Sequence, residues 1–119
     1  MSDLSLLPGR FAVCRLAADA GVPAAFFSVT RTPDELSVVC AEDSAPEGAP
    51  CENGWRILQV AGPLDFSLTG VLAAIATPLA NAGVSIFAIS TFDTDYVMVK
   101  EANFAESVEA LRAAGHRVS

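Results

Sequence analysis

The run VSIFAISTFDTDYVMVK, residues 84–100, leaves few folds open to this chain. Its two apolar stretches, 85–90 and 96–100, are rich in β-branched and aromatic residues, and each predicts a strand. Between them Ser90, Thr91, Phe92, Asp93, Thr94 and Asp95 form a polar hexapeptide. Asp and Thr suit turns because their side-chain oxygens bond nearby backbone groups, so the run predicts a β-hairpin. The same hexapeptide holds the densest set of polar groups able to converge on one point, and the sequence around it reads as scaffold.

The segments on either side fill in a unit. WRILQV, residues 55–60, predicts a strand, and AGPLDF, residues 61–66, a loop. A helix is predicted over 67–82, because Leu68, Val71, Leu72, Ile75 and Leu79 fall on one face of a 3.6-residue period. Ser67 or Asp65 is placed to cap it, and Gly83 to end it. Pro78 lacks an N–H and clashes with the carbonyl of Ala74, which predicts a kink or a frayed last turn. After the hairpin, residues 103–114 predict a second helix. Asn103 with Glu106 is a capping-box variant there, Phe104, Val108 and Leu111 form the apolar stripe, and Gly115 is the stop. Residues 116–118 predict a short strand. The second half therefore reads βαββαβ.

The first half repeats part of that pattern. FFSVTRTPDELSVV aligns without a gap on IFAISTFDTDYVMV at a constant offset of 60 residues: Phe27 meets Phe87, Val29 meets Ile89, Glu35 meets Asp95 and Val39 meets Val99. Strands are predicted over Phe11–Leu16, 26–31 and 36–40, with the turn of the second pair at Thr32, Pro33, Asp34 and Glu35. Residues 17–23 are too few for a helix with its loops. Residues 41–54, with two prolines, two glycines and four acids, predict a solvated loop with at most one helical turn, and the best boundary within the chain. The expected fold class is α+β, a tandem of a degenerate unit lacking its first helix (1–54) and a complete βαββαβ unit (55–119).

Charge and composition narrow the function. The chain has 14 acidic and 7 basic residues, a formal net charge of -7, so nucleic acid and anionic lipid are repelled at long range. Hydrophobic residues make up 52% against 18% charged, enough for a core and enough left over to favour a homodimer. No apolar run reaches the length of about 20 residues that spans a bilayer. The start MSDLSLLPGR lacks a signal peptide's basic region, and a cytoplasmic protein is expected. Cys14, Cys40 and Cys51 are odd in number and show no CxxC spacing. Cys14 and Cys40 read as buried thiols, and neither a disulfide framework nor a zinc site is expected. His116 reads as exposed, and Trp55 as a packing residue at a strand start.

FFSVTRTPD at 26–34 and PLANAGVSIFAISTFDTDY at 78–96, with the βαββαβ order, resemble the ACT domain, and within it the CASTOR arginine sensors and their small bacterial relatives. That resemblance implies a ferredoxin-like fold, a regulatory protein without catalysis or cofactor, and a free amino acid held at a seam between ACT units. It carries over onto Thr91, Phe92 and Asp95 of the hairpin turn and onto the loop over 60–65, where Ala61, Gly62 and Asp65 stand. In this chain that loop reads VAGPLDF, without the serine of the sensors. Read as chemistry, Asp95, Asp93 and Asp65 suit a cationic group, and Phe92 a wall. The backbone leading into the helix suits a carboxylate, with Gly62 and Gly70 permitting close approach. The bland reading of the two hairpin aspartates is that they are turn-formers, and of Phe92 that it is core or interface.

Enzyme readings find little support. The chain has no G-x-S-x-G, no His/Cys pair within one predicted loop and no metal cluster. Residues 61–70 contain no Arg, which an acylphosphatase of the same topology would require. An RNA-binding sheet would need aromatics on a basic face. The alternative that stays open is a protein–protein interaction module with a vestigial pocket and no small-molecule ligand.

Overall fold

In the computed structural model, which describes residues 2–119, the elements run β1 (Asp3–Leu6), β2 (Phe11–Leu16), β3 (Ser28–Arg31), β4 (Leu36–Ala41), β5 (Cys51–Val60), α1 (Val71–Asn81), β6 (Ile86–Ser90), β7 (Asp95–Lys100), α2 (Phe104–Ala113) and β8 (Arg117–Val118). The chain forms two units, Gly9–Trp55 and Arg56–Ser119, the second including the N-terminal residues up to Pro8. The boundary falls within β5. The expected division at 54/55 groups the N-terminal residues with the first half, but β1 lies with the second. Leu4 is fully buried there and pairs with Val60, and Leu6 pairs with Leu58.

The larger unit has strand order β8-β1-β5-β7-β6. From β5 onward the elements follow the predicted βαββαβ order. β1 is antiparallel to β5 and parallel to β8, so the unpredicted N-terminal strand lies between them. Alternate residues share a face of a sheet. Leu58 and Val60 of β5 and Val97 and Val99 of β7 accordingly meet Ile75 and Leu79 of α1 and Leu111 of α2 in one buried cluster. Each fully buried Leu or Ile there contributes about 1.5–3 kcal/mol.

α1 begins at Val71, four residues later than predicted. Gly70 stands before it at φ +80°, a left-handed conformation that a right-handed helix cannot include. Leu68 is therefore outside the helix and 54% exposed rather than part of its buried stripe. No side chain caps α1, so neither Ser67 nor Asp65 acts as predicted. The Asn103 capping box is also unmade, because a 3-10 turn over Glu101–Asn103 leads into α2 instead. Both helices stop in the same way. Val84 N–H donates to Leu79 O and Gly83 N–H to Ala80 O, and His116 and Gly115 repeat this on Leu111 and Arg112. This is the paired bonding of a glycine-terminated helix end.

α1 continues through Pro78, and its last turn is not frayed, since Ala82 N–H donates to Pro78 O at 3.1 Å. The carbonyl of Ala74, deprived of a donor by Pro78, lies 2.9 Å from His116 Nε2. Ser2 N–H donates to His116 Nδ1 at 3.0 Å, so the neutral ring carries its proton on Nε2 and donates it to Ala74. His116 is 5% exposed. The expectation of an exposed histidine fails because Pro78, lacking an N–H, leaves the Ala74 carbonyl free to take the bond from His116.

In the smaller unit the strand order is β3-β4-β2 followed by the first residues of β5, all antiparallel. No helix stands between β2 and β3, and Arg31 instead clasps the connection through the carbonyls of Ala18 and Ala20. Ala12, Cys14, Leu36, Val38 and Cys40 form its buried cluster. The predicted loop over 41–54 holds a 3-10 turn, Glu42–Ser44, but ends early, because β5 begins at Cys51. That extension sets Cys51 directly opposite Cys14, Cα–Cα 4.1 Å, and the two are disulfide-bonded. The expectation of no disulfide is thereby corrected, while Cys40 is a buried free thiol as expected.

Candidate functional site

The hairpin turn is fixed first by its own backbone. Thr91 N–H donates to Thr94 O at 2.8 Å, Thr91 Oγ1 donates to the same oxygen at 2.9 Å, and Thr94 N–H returns a bond to Thr91 Oγ1 at 3.3 Å. Thr94 is 6% exposed and donates its hydroxyl to Val60 O at 2.6 Å, at the end of β5. Leu64 N–H donates to Asp93 O at 2.6 Å. Two bonds thus dock the loop after β5 onto the turn. Gly62 lies at this junction, joined to Pro63 by a cis peptide bond. A Cβ on Gly62 would stand 3.0 Å from both Asp93 O and Thr94 Cβ, so a side chain here would require the turn to give by a few tenths of an ångström.

Between the docked loop and the turn lies a cleft of about 210 Å³. Its acidic lining residues are Asp65, Asp93 and Asp95, and its aromatic ones Phe66 and Phe92. It has no Lys, Arg or His in its lining. Among the described residues, no group of three or more His, Cys, Asp or Glu is arranged to hold a metal ion. Asp65 Oδ1 accepts from both the N–H and the hydroxyl of Ser67, each at 2.8 Å. The Ser67 backbone bond first, and its hydroxyl second, hold the Asp65 carboxyl below its ordinary value. Phe66 and Phe92 meet edge to face at 4.9 Å. They are 74% and 78% exposed, and with Leu68 they put an apolar rim beside the acidic floor. Val71, the first residue of α1, also lines the cleft, so the uncapped end of that helix opens there. Its first N–H groups have no partner within the helix.

The family model for the ACT domain matches residues 51–113, more than half of the chain. The chain belongs to the ACT domain family. A second family model, for an N-terminal domain, matches residues 9–48. The cytosolic arginine sensor for mTORC1 subunit 1 of Bos taurus is 28% identical over 97 residues, which cover 72% of this chain and 30% of the sensor. The chain thus spans about a third of the length of that relative. A crystal structure of an Agrobacterium tumefaciens protein matches 99% of this chain and 92% of its own, at 35% identity and TM-score 0.92. The regulatory subunit of aspartate kinase from Thermus thermophilus covers 97% of both chains at TM-score 0.67 and 12% identity, a likeness of fold alone.

Within this ACT protein, four of the six residues singled out by sequence line one cleft: Asp65, Thr91, Phe92 and Asp95. Ala61 and Gly62 are not among its lining residues. Ala61 N–H is taken by Asp3 O at 2.8 Å, and Gly62, though exposed, stands close against the turn at Asp93 and Thr94. Gly70, expected to allow close approach, has nothing within 4 Å of a notional Cβ, and what it supplies is the positive φ. Sequence reading passed over Thr94 and Phe66. The signal for Thr94 is its spacing of three from Thr91, which puts two hydroxyls at the two ends of one turn. For Phe66 it is a large aromatic outside any predicted strand or helix stripe. In the ACT unit no helix is long and apolar enough to cross a membrane.

Proposed function

We propose that this protein is a non-catalytic regulatory module of the cytoplasm that binds a free amino acid in the cleft between the loop after β5 and the hairpin turn. One observation carries the reading: Asp65, Asp93, Asp95 and the first residue of the uncapped α1 line one small cleft that has no Lys, Arg or His in its lining. Asp95, aided by Asp93 and Asp65, receives the ammonium group. The N–H groups that open α1 receive the carboxylate, as helix N-termini receive anions. Phe66 and Phe92 wall the side chain. The relative named as an arginine sensor supports an amino-acid-linked regulatory role. The exposed Phe66, Leu68 and Phe92 support a homodimer in which a second chain covers the open side. We read residues 9–55 as a reduced copy of the ACT unit.

The test is a thermal-shift screen of the wild type against the common amino acids, followed by Asp95→Ala. A ligand at 100 times its Kd adds about 2.7 kcal/mol. Removing one partner of a desolvated charge pair costs about 2–5 kcal/mol, so Asp95→Ala loses binding by roughly 30-fold or more with the fold intact. Binding that survives within a few-fold contradicts the assignment. The second reading, an interaction module without a small ligand, draws on the same apolar rim, and a flat response to every amino acid favours it.

A further inference from the structure

The smaller unit carries a feature unconnected with the cleft. Cys14 and Cys51 face each other across β2 and β5 and share a surface groove of about 260 Å³, whose other lining residues include Arg15, Glu35 and Glu52. Cys14 is 2% exposed, whereas Cys51 is only half-buried. An incoming thiolate therefore reaches the bond at Cys51 Sγ. The ladder around it is thin. Phe11 pairs with Trp55, the register then shifts, and Val13 with Glu52 and Cys14 with Cys51 are the pairs that follow. Beyond them Arg15 N–H reaches Pro50 O, and Glu42 accepts from Gly54 N–H at 2.6 Å. The disulfide is the covalent tie between the head of β5 and the body of the unit.

We propose that the Cys14–Cys51 disulfide is a redox-responsive clasp, opened in the folded protein by a dithiol reductant that enters the groove and attacks Cys51. In the first step a reductant thiolate bonds to Cys51 Sγ, the sulfur–sulfur bond breaks, and Cys14 leaves as a thiolate that takes up a proton. In the second step the other thiolate of the reductant attacks its partner sulfur in the mixed disulfide. Cys51 is released and protonated, and the reductant departs as a disulfide. Two electrons and two protons have passed to the protein. Exchange needs a thiolate. Cys40 lies in the same buried cluster, where burial pushes its thiol up and keeps it protonated, so it does not scramble the pair. Opening frees the head of β5 and the loop before it from β2. In a reducing compartment such bonds are transient and act as switches rather than staples.

The experiment counts thiols in the full chain purified without reductant, alkylated under denaturing conditions and weighed by mass spectrometry. One alkylated cysteine is expected, Cys40, with the peptides of Cys14 and Cys51 joined. Millimolar dithiothreitol, added to the folded protein without denaturant, should raise the count to three and lower Tm by roughly 5–15 °C. Reoxidation should restore both values. Cys51→Ser should start at the reduced Tm and ignore dithiothreitol. Three thiols after mild oxidation with diamide would overturn the proposal. So would a bond that yields only under denaturant, or a Tm indifferent to reduction. If Cys51→Ser does not fold, reduction of the wild type decides alone.

Discussion

The two hairpin turns of this chain have the same skeleton and different surroundings. In the first, Thr32 N–H donates to Glu35 O at 2.9 Å, and Thr32 Oγ1 accepts from Glu35 N–H at 3.1 Å. In the second, Thr91 and Thr94 make the same two bonds. The strand registers close identically, Arg31 on Leu36 and Ser90 on Asp95, so equivalent residues are 59 apart. The sequence alignment gives 60, because it matches aromatic and β-branched residues of the incoming strands and carries that match through the turn. A slip of one residue exchanges the faces of a strand. In the corrected register the fully buried Leu36 stands where the second turn has Asp95, and Glu35 stands where it has Thr94. The threonine-based turn is therefore generic. What distinguishes the second turn is the loop that Thr94 and Asp93 hold against it.

Exchanging the closing residues should break the comparison most severely. Leu36→Asp puts a carboxylate at a position with no exposure, in the cluster that includes Val38 and Cys40. It should cost several kcal/mol and unfold the smaller unit near neutral pH. Asp95→Leu should leave stability within about 1 kcal/mol, since Asp95 is only half-buried, while removing ligand binding. Denaturant titration of both variants checks this, and a mild Leu36→Asp would argue against equivalence at 59. Thr94→Val comes next. It removes the bond to Val60 O from a buried hydroxyl, a loss of about 0.5–1.5 kcal/mol. Glu35→Ala, at the matching place, should fall within about 0.5 kcal/mol, because Glu35 serves its turn through the backbone. Equal losses from Thr94→Val and Glu35→Ala would mean that the docked loop adds nothing. Thr91→Ala and Thr32→Ala should each lose about 0.5–1.5 kcal/mol, and by similar amounts, since each hydroxyl stabilises the same turn.

These contrasts also mark what sequence reading reaches. The strand–turn–strand of 84–100 and the stripe of Ile75 and Leu79 were legible because period and turn chemistry are local. So were Asp65, Thr91, Phe92 and Asp95 as cleft residues, through a family resemblance that covers the hairpin and its neighbouring loop. Other features depend on distant partners. β1 is only four residues long, and becomes a strand because Leu4 finds Val60 and β8 finds its edge. His116 is buried because Pro78, 38 positions away, frees the carbonyl of Ala74. The Cys14–Cys51 bond depends on β5 starting four residues before Trp55, within a stretch that composition marks as loop. Gly62 looked like a ligand-approach residue, and its crowding comes instead from the turn it packs against.

The smallest expected effect belongs to the docked loop itself, which the first turn lacks. Asp65 is fully exposed, and the two bonds from Ser67 lower its carboxyl pKa from the ordinary 3.8. Its unfolded counterpart therefore takes up a proton at a higher pH than the folded one. The ion's preference for the folded loop is present in full above about pH 4 and is lost as pH falls through the folded value. Asp65→Asn keeps an oxygen able to accept from Ser67 and removes the titration. Stability measured between about pH 7 and pH 3 should fall less steeply in Asp65→Asn than in the wild type, with the wild type the more stable at neutral pH and the two curves converging below about pH 4. Because solvent screens an exposed carboxylate, the separation should be small and should shrink further in added salt. A separation that persists undiminished at pH 3 would show that the asparagine disturbs the loop by shape rather than by charge. Parallel curves down to pH 3 would mean that the Ser67 bonds do not favour the ionised form in solution.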